Sequence, residues 1–125
     1  MSEPLELCPM APYGAPVPPK RNFKVYISGP MTGIPDHNYP AFETARKQLR
    51  NDGFTVLCPA EAGQVNGWTW EQYLNRDLRM VLDADAVAAL PGWENSRGAK
   101  LEIHVARELG KPVVGIADAH ILWEI

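Results

Sequence analysis

The sequence predicts an α/β domain built on a parallel sheet, and three observations carry that expectation. Short β-rich runs alternate with stretches of helical periodicity, the order that builds strand–helix–strand units. Residues 85–90 are nearly all apolar, as in a strand covered on both faces by helices. The chain has 125 residues, which suits one domain with a core of its own.

Composition narrows the function classes. Hydrophobic content of 46% and charged content of 22% are those of an ordinary globular domain. A net charge of −3 argues against a general basic face, so no nucleic-acid polymer is expected as a partner. Small anions remain open, because local donors hold them. Cys8 and Cys58 have no metal-like spacing and make no disulfide framework, which favours a reducing cytoplasm. No apolar run is long enough to span a membrane, and the start lacks the basic-then-apolar order of a signal peptide.

Residues 1–20 carry Pro4, Pro9, Pro12, Pro16, Pro18 and Pro19, a density that excludes helix and central strand. They are expected as an extended arm, with the folded domain over 21–125. Phe23–Ser28 reads as the first strand, broken by Gly29-Pro30-Met31-Thr32-Gly33. Pro40 can open a helix, on which Phe42, Ala45 and Leu49 repeat at helical spacing until Asp52-Gly53. Phe54–Leu57 is the second strand, and 60–69 a loop. A helix over 69–83 carries the stripe Leu74, Leu78, Val81 and Leu82. The strand over 85–90 follows, then a helix over 98–109 stopped by Gly110, and a strand over 113–116. The tail from Ala119 to Ile125 is a last short strand or a docking segment. The sum is a flavodoxin-like three-layer sandwich with four or five parallel strands. Ligands in such sheets sit beyond the carboxyl ends of the strands, here the loops after Ser28, Leu57 and Leu90.

Two acids stand where apolar residues are expected. The helix over 98–109 has a stripe of Gly98, Leu101, Val105, Ala106 and Leu109, and Glu102 falls inside it. A lone carboxylate facing a core must be paired, protonated or turned to a cavity. The plain alternative is a buried glutamate satisfied by backbone, Arg97 or Lys100. Asp77 interrupts the stripe of the preceding helix in the same way, with Arg76 or Arg79 as its plain partner. Two carboxylates are the minimum equipment for acid–base or nucleophilic work at a sugar carbon.

Ser96-Arg97-Gly98 opens a helix, where free N–H groups and the dipole favour an anion; the plain reading of Ser96 is a cap. Tyr26 shares a strand face with Lys24 and Ser28, with ordinary packing as its alternative. Met31, Trp68 and Trp93 are loop residues at the ligand edge that could stack on a base. His37, His104 and His120 form no metal spacing, and neither a P-loop nor a Rossmann glycine order is present.

Lys24-Val25-Tyr26-Ile27-Ser28-Gly29-Pro30-Met31-Thr32-Gly33 resembles the opening of the nucleoside 2-deoxyribosyltransferase-like superfamily. Pro59-Ala60-Glu61, Asn75-Arg76-Asp77-Leu78 and Ala84-Asp85-Ala86-Val87 resemble its phage and bacterial branch, the domain-of-unknown-function 4406 group. The resemblance covers about 23–117. It implies cleavage or exchange of the N-glycosidic bond of a (deoxy)nucleoside or its 5′-monophosphate. It implies Glu102 as nucleophile, Asp77 assisting at base or sugar, and Tyr26 orienting Glu102. It further implies Ser96 and Gly98 on phosphate, and Ser28, Gly29, Pro30, Met31, Arg97 and Trp93, at the ligand edge, are expected to complete the substrate site. No metal or organic cofactor is called for, and a homodimer or higher homo-oligomer is expected. The setting is cytoplasmic, in the host if the chain is phage-encoded. The sequence departs from the relatives at Pro30–Gly33, where an Arg-Gly-rich loop is common, and at Lys100, where a small residue is usual. A non-catalytic nucleotide sensor and a glycohydrolase of a dinucleotide such as NAD are the rival readings.

Overall fold

A computed structural model describes residues 22–124. The expected proline-rich arm over 1–20 lies outside the described residues. Four parallel strands form one sheet in the order β2-β1-β3-β4: β1 (Lys24–Ser28), β2 (Thr55–Leu57), β3 (Ala86–Ala89) and β4 (Val113–Gly115). The longer helices are α1 (Tyr39–Asn51), α3 (Trp70–Asp83) and α4 (Arg97–Glu108). A single turn, α2 (Pro59–Ala62), stands in the stretch expected as loop. Pro59 suits a first helical turn, where its missing N–H is not needed. Arg50 grips Glu61 with two bonds of 2.8 and 3.2 Å, so the turn is tied to α1.

The sheet separates two apolar layers, which makes the three-layer sandwich. On one side Val25, Ile27 and Val56 pack with Phe42, Ala45 and Leu49 of α1, the stripe its spacing predicts. On the other, Tyr26, Val87 and Ala89 pack with Val81 of α3 and with Ile103 and Ala106 of α4. Strand alternation thus puts Tyr26 opposite Val25 and Ile27, as expected. The tail is not a strand. Ile116–Glu124 winds as a 3₁₀ segment that buries Ala119 and Leu122 and stacks Trp123 on Phe54, centroids 4.8 Å apart.

The stripes of α3 and α4 differ from their expected course. Val81 is the one fully buried residue of α3, and Leu82 is 57% exposed. The N-terminal half of α3 borders an open cavity instead of the sheet, so Leu74 and Asp77 face that space. On α4 the buried face is Ala99, Glu102, Ile103 and Ala106, while Leu101 and Leu109 are exposed. β3 is mostly alanine, so the helix approaches it closely through its own alanines, and the bulkier leucines fall to the side.

Candidate active site

The connection after β1 runs to α1 on one face, and that after β3 to α4 on the other. The neighbouring ends of β1 and β3 therefore form a switch point, where open α/β sheets leave a crevice. A cavity of about 690 Å³ opens there. Its walls come from the loop after β1, the start of α3 and the start of α4. Thr69 and Gln72 close a reciprocal capping box that fixes where α3 begins. Ser96 caps α4, accepting from the Ala99 N–H at 3.2 Å.

Glu102 lies on the cavity wall and is 6% exposed. The Ser28 hydroxyl donates to its Oε1 at 2.7 Å. Burial pushes the Glu102 carboxyl up to about 8; the Ser28 bond opposes the rise, and the nearby Asp77 charge adds to it. Neither Arg97 nor Lys100 pairs with it: the Arg97 guanidinium stacks on the Trp70 ring at 3.9 Å, and Lys100 is exposed. Tyr26 is fully buried beside Glu102. The two groups are close enough to affect each other's proton affinity, yet the hydroxyl has no partner at hydrogen-bond geometry. Burial, reinforced by the Glu102 and Asp77 charges, holds the phenol well above its ordinary value.

Asp77 has the partner that its neighbour in sequence suggests. Arg76 Nε donates to its Oδ1 at 2.9 Å. Burial still raises the Asp77 carboxyl, and Arg76 opposes the rise. The setting is thus an ion pair at a cavity edge, not the apolar pocket that would hold a carboxyl protonated by burial alone.

Of the residues expected around a ligand, Gly29, Pro30, Met31, Ser96, Arg97 and Gly98 all border the cavity. Two expected contacts lie elsewhere. Ser28 is fully buried behind Glu102, because the last residue of β1 points into the sheet–helix interface. Trp93 packs on the Tyr26 side of the core and against Arg107, since the turn after β3 folds it back over the sheet. Trp68 likewise stands edge-on to Tyr73, outside the cavity wall.

A model of the family described as Domain of unknown function (DUF4406) matches residues 23–115. The chain belongs to this family. No match appears among curated proteins. Solved structures share the fold. A 2-deoxyribosyltransferase from the psychrotolerant Bacillus psychrosaccharolyticus superposes with a TM-score of 0.58 at 24% identity, over 73% of this chain and 70% of that one. A 2-deoxyribosyltransferase from Leishmania mexicana gives 0.59 at 22% identity, over 74% and 62%. A conserved protein from Enterococcus faecalis V583 gives 0.61 at 28% identity, over 75% and 62%. The flavodoxin-like sandwich is therefore that of the 2-deoxyribosyltransferases.

This DUF4406 chain also brings to the cavity residues that no sequence signal singled out. The sequence offers Arg76 only as a partner for Asp77. It also donates to the Gly63 carbonyl at 2.6 Å and lies over the Trp68 and Tyr73 rings at 5.7 and 5.4 Å. It therefore pins the loop after β2 to α3. Trp70 and Asn95 border the cavity, as do His37 and Gln64, whose side chains meet at 3.1 Å. The two loops that carry His37 and Gln64 are far apart in sequence, so only the fold could pair them. Among the described residues no group of His, Cys, Asp or Glu could hold a metal ion, and no helix is long and apolar enough to cross a membrane.

Proposed function

We propose that this protein cleaves the N-glycosidic bond of a (deoxy)nucleoside 5′-monophosphate, with transfer to another base when a base replaces water. The observation that carries this reading is Glu102: a buried carboxylate on a cavity wall, held by a hydroxyl, with a second acid and a helix N-terminus in the same cavity. Ionised Glu102 attacks C1′ through an oxocarbenium-like transition state, and a glycosyl ester forms. The C1′–N bond breaks with its electron pair on the base, and Asp77 delivers a proton to that base. Water then attacks C1′ and returns a proton to Asp77, which frees Glu102. Tyr26 limits the swing of the carboxylate. Ser96, Gly98 and the start of α4 take the phosphate, with Arg97 alongside. A Cβ at Gly98 would meet nothing within 4 Å, so its main chain is open to a ligand.

The proton count follows from the carboxyls. Burial raises both carboxyls, Glu102 to about 8 and Asp77 against the opposing Arg76 charge. The mechanism requires that the two acids share one proton. Catalysis uses the arrangement with that proton on Asp77 and the charge on Glu102. The Michaelis ratio kcat/KM should therefore hold steady at neutral pH and fall above about 8, as the pair loses its last proton. A rate that climbs up to pH 8 would remove Asp77 as the acid.

The protein is further proposed to act as a homo-oligomer in the cytoplasm, with exposed Leu82, Leu101 and Leu109 offering apolar area for a neighbour. The direct test incubates the protein with a panel of nucleoside monophosphates, nucleosides and NAD and assays free base by chromatography. Base release from a monophosphate is expected, lowered roughly 10³-fold or more in Glu102→Gln. Ser96→Ala should weaken monophosphate binding more than nucleoside binding. Nucleotide binding without base release would leave a sensor, and release from NAD alone a dinucleotide glycohydrolase.

A further inference from the structure

Ser28 ends β1, and its hydroxyl donates to Glu102 Oε1 at 2.7 Å across a gap of 74 residues in sequence. It is 0% exposed and does not border the cavity, so a substrate cannot reach it. Its place is fixed by backbone. Ser28 pairs with Ala89 in the parallel register, and its carbonyl accepts from the Leu90 N–H at 2.8 Å. The next residue, Gly29, packs so tightly that a Cβ there would stand 2.7 Å from Leu90 Cβ. The mount of the hydroxyl is therefore the rigid junction of β1 and β3, not a loop.

We infer that Ser28 is a positioning residue for Glu102: its hydroxyl fixes Oε1 and leaves the other carboxylate oxygen to react. The hydroxyl also acts on charge, since a hydrogen bond donated to a carboxylate favours the ionised form. Tyr26, the other buried hydroxyl beside Glu102, has no partner at hydrogen-bond geometry, so the bond that fixes Oε1 is the one from Ser28. The inference rests on the reading of Glu102 as nucleophile, but the bond itself can be tested without turnover.

The experiment is a carboxyl ¹³C NMR titration of the full-length, ligand-free chain labelled at glutamate, with Glu102 assigned by its loss in Glu102→Gln. In Ser28→Ala the Glu102 titration should move up by about one pH unit. Ser28→Cys keeps the shape of the side chain, with a somewhat larger atom, but offers only a weak donor, so it should move the titration in the same direction, with a cooperative melt showing that the fold is kept. An unmoved titration in Ser28→Ala, or a Ser28→Cys indistinguishable from wild type, overturns the positioning role. In the base-release assay both variants should lose about tenfold in kcat with KM little changed, and the descending pH limb should move up with the NMR value. If wild type releases no base from any nucleotide while the titration still shifts, the proposed reaction fails and the positioning of Glu102 stands.

Discussion

Glu102 makes the stability of this domain depend on pH in a direction unusual for a carboxylate. Unfolded, it titrates near 4.5; folded, near 8. Between those values the folded chain keeps a proton that the unfolded chain has released, so stability falls as pH rises. The contribution is intact below about 4.5 and lost by about 8, at up to about 1.4 kcal/mol per pH unit. Wild type should therefore melt at a lower temperature at pH 8 than at pH 5, and Glu102→Gln should show a clearly smaller drop by differential scanning calorimetry. Equal drops would mean that Glu102 is not a buried, neutral carboxyl. This residue was legible in the sequence because an acid inside an apolar stripe demands an explanation. Its partner was not. Helical spacing offers only Arg97 and Lys100 as side-chain partners, whereas the bond comes from a strand end 74 residues away.

At the level of elements, periodicity located the helices better than it oriented them. It gave α1 its buried residues, because that helix packs along its whole length on the sheet. It misjudged α3, half of which borders a cavity, and α4, which presents alanines to an alanine strand and turns Leu101 and Leu109 outward. Hydrophobicity weights leucine over alanine, while close packing of a helix on β3 does the reverse. Glu102 stays central under either orientation, so the misplaced stripe still singles out a carboxylate that the structure buries. The end of α3 shows a device that no pattern reveals. Lys111, just past α4, donates to the carbonyls of Val81, Leu82 and Ala84. Its charge sits on groups that a helix C-terminus leaves unpaired. Lys111→Met should cost about 1–2 kcal/mol in urea unfolding. Lys100→Met, on an exposed face of α4, should stay within about 0.5 kcal/mol of wild type. Equal effects at both positions would show that the three carbonyl bonds contribute nothing.

Across the whole molecule, the sheet divides the tasks of the two layers. Every group assigned to the glycosidic chemistry reaches the cavity from the ends of the strands and from the α3–α4 side. The layer under α1 holds Phe42, Leu49, Phe54 and the tail residues Ala119 and Leu122. The tail lies beyond the stretch that the family model matches, yet it is built into this layer. Removing part of it should consequently weaken the fold and spare the site. Leu122 is fully buried, and Leu122→Ala should cost about 3 kcal/mol, the transfer of the lost atoms plus the cavity they leave. Below its melting temperature the variant should keep kcat and KM within about twofold of wild type, because distant, unshared contacts act independently. Urea unfolding and the base-release assay on the same preparation decide the matter. A large loss of turnover in a variant still fully folded would mean that the α1 layer transmits to the Ser28–Glu102 pair through β1, and the two layers would have to be treated as one unit.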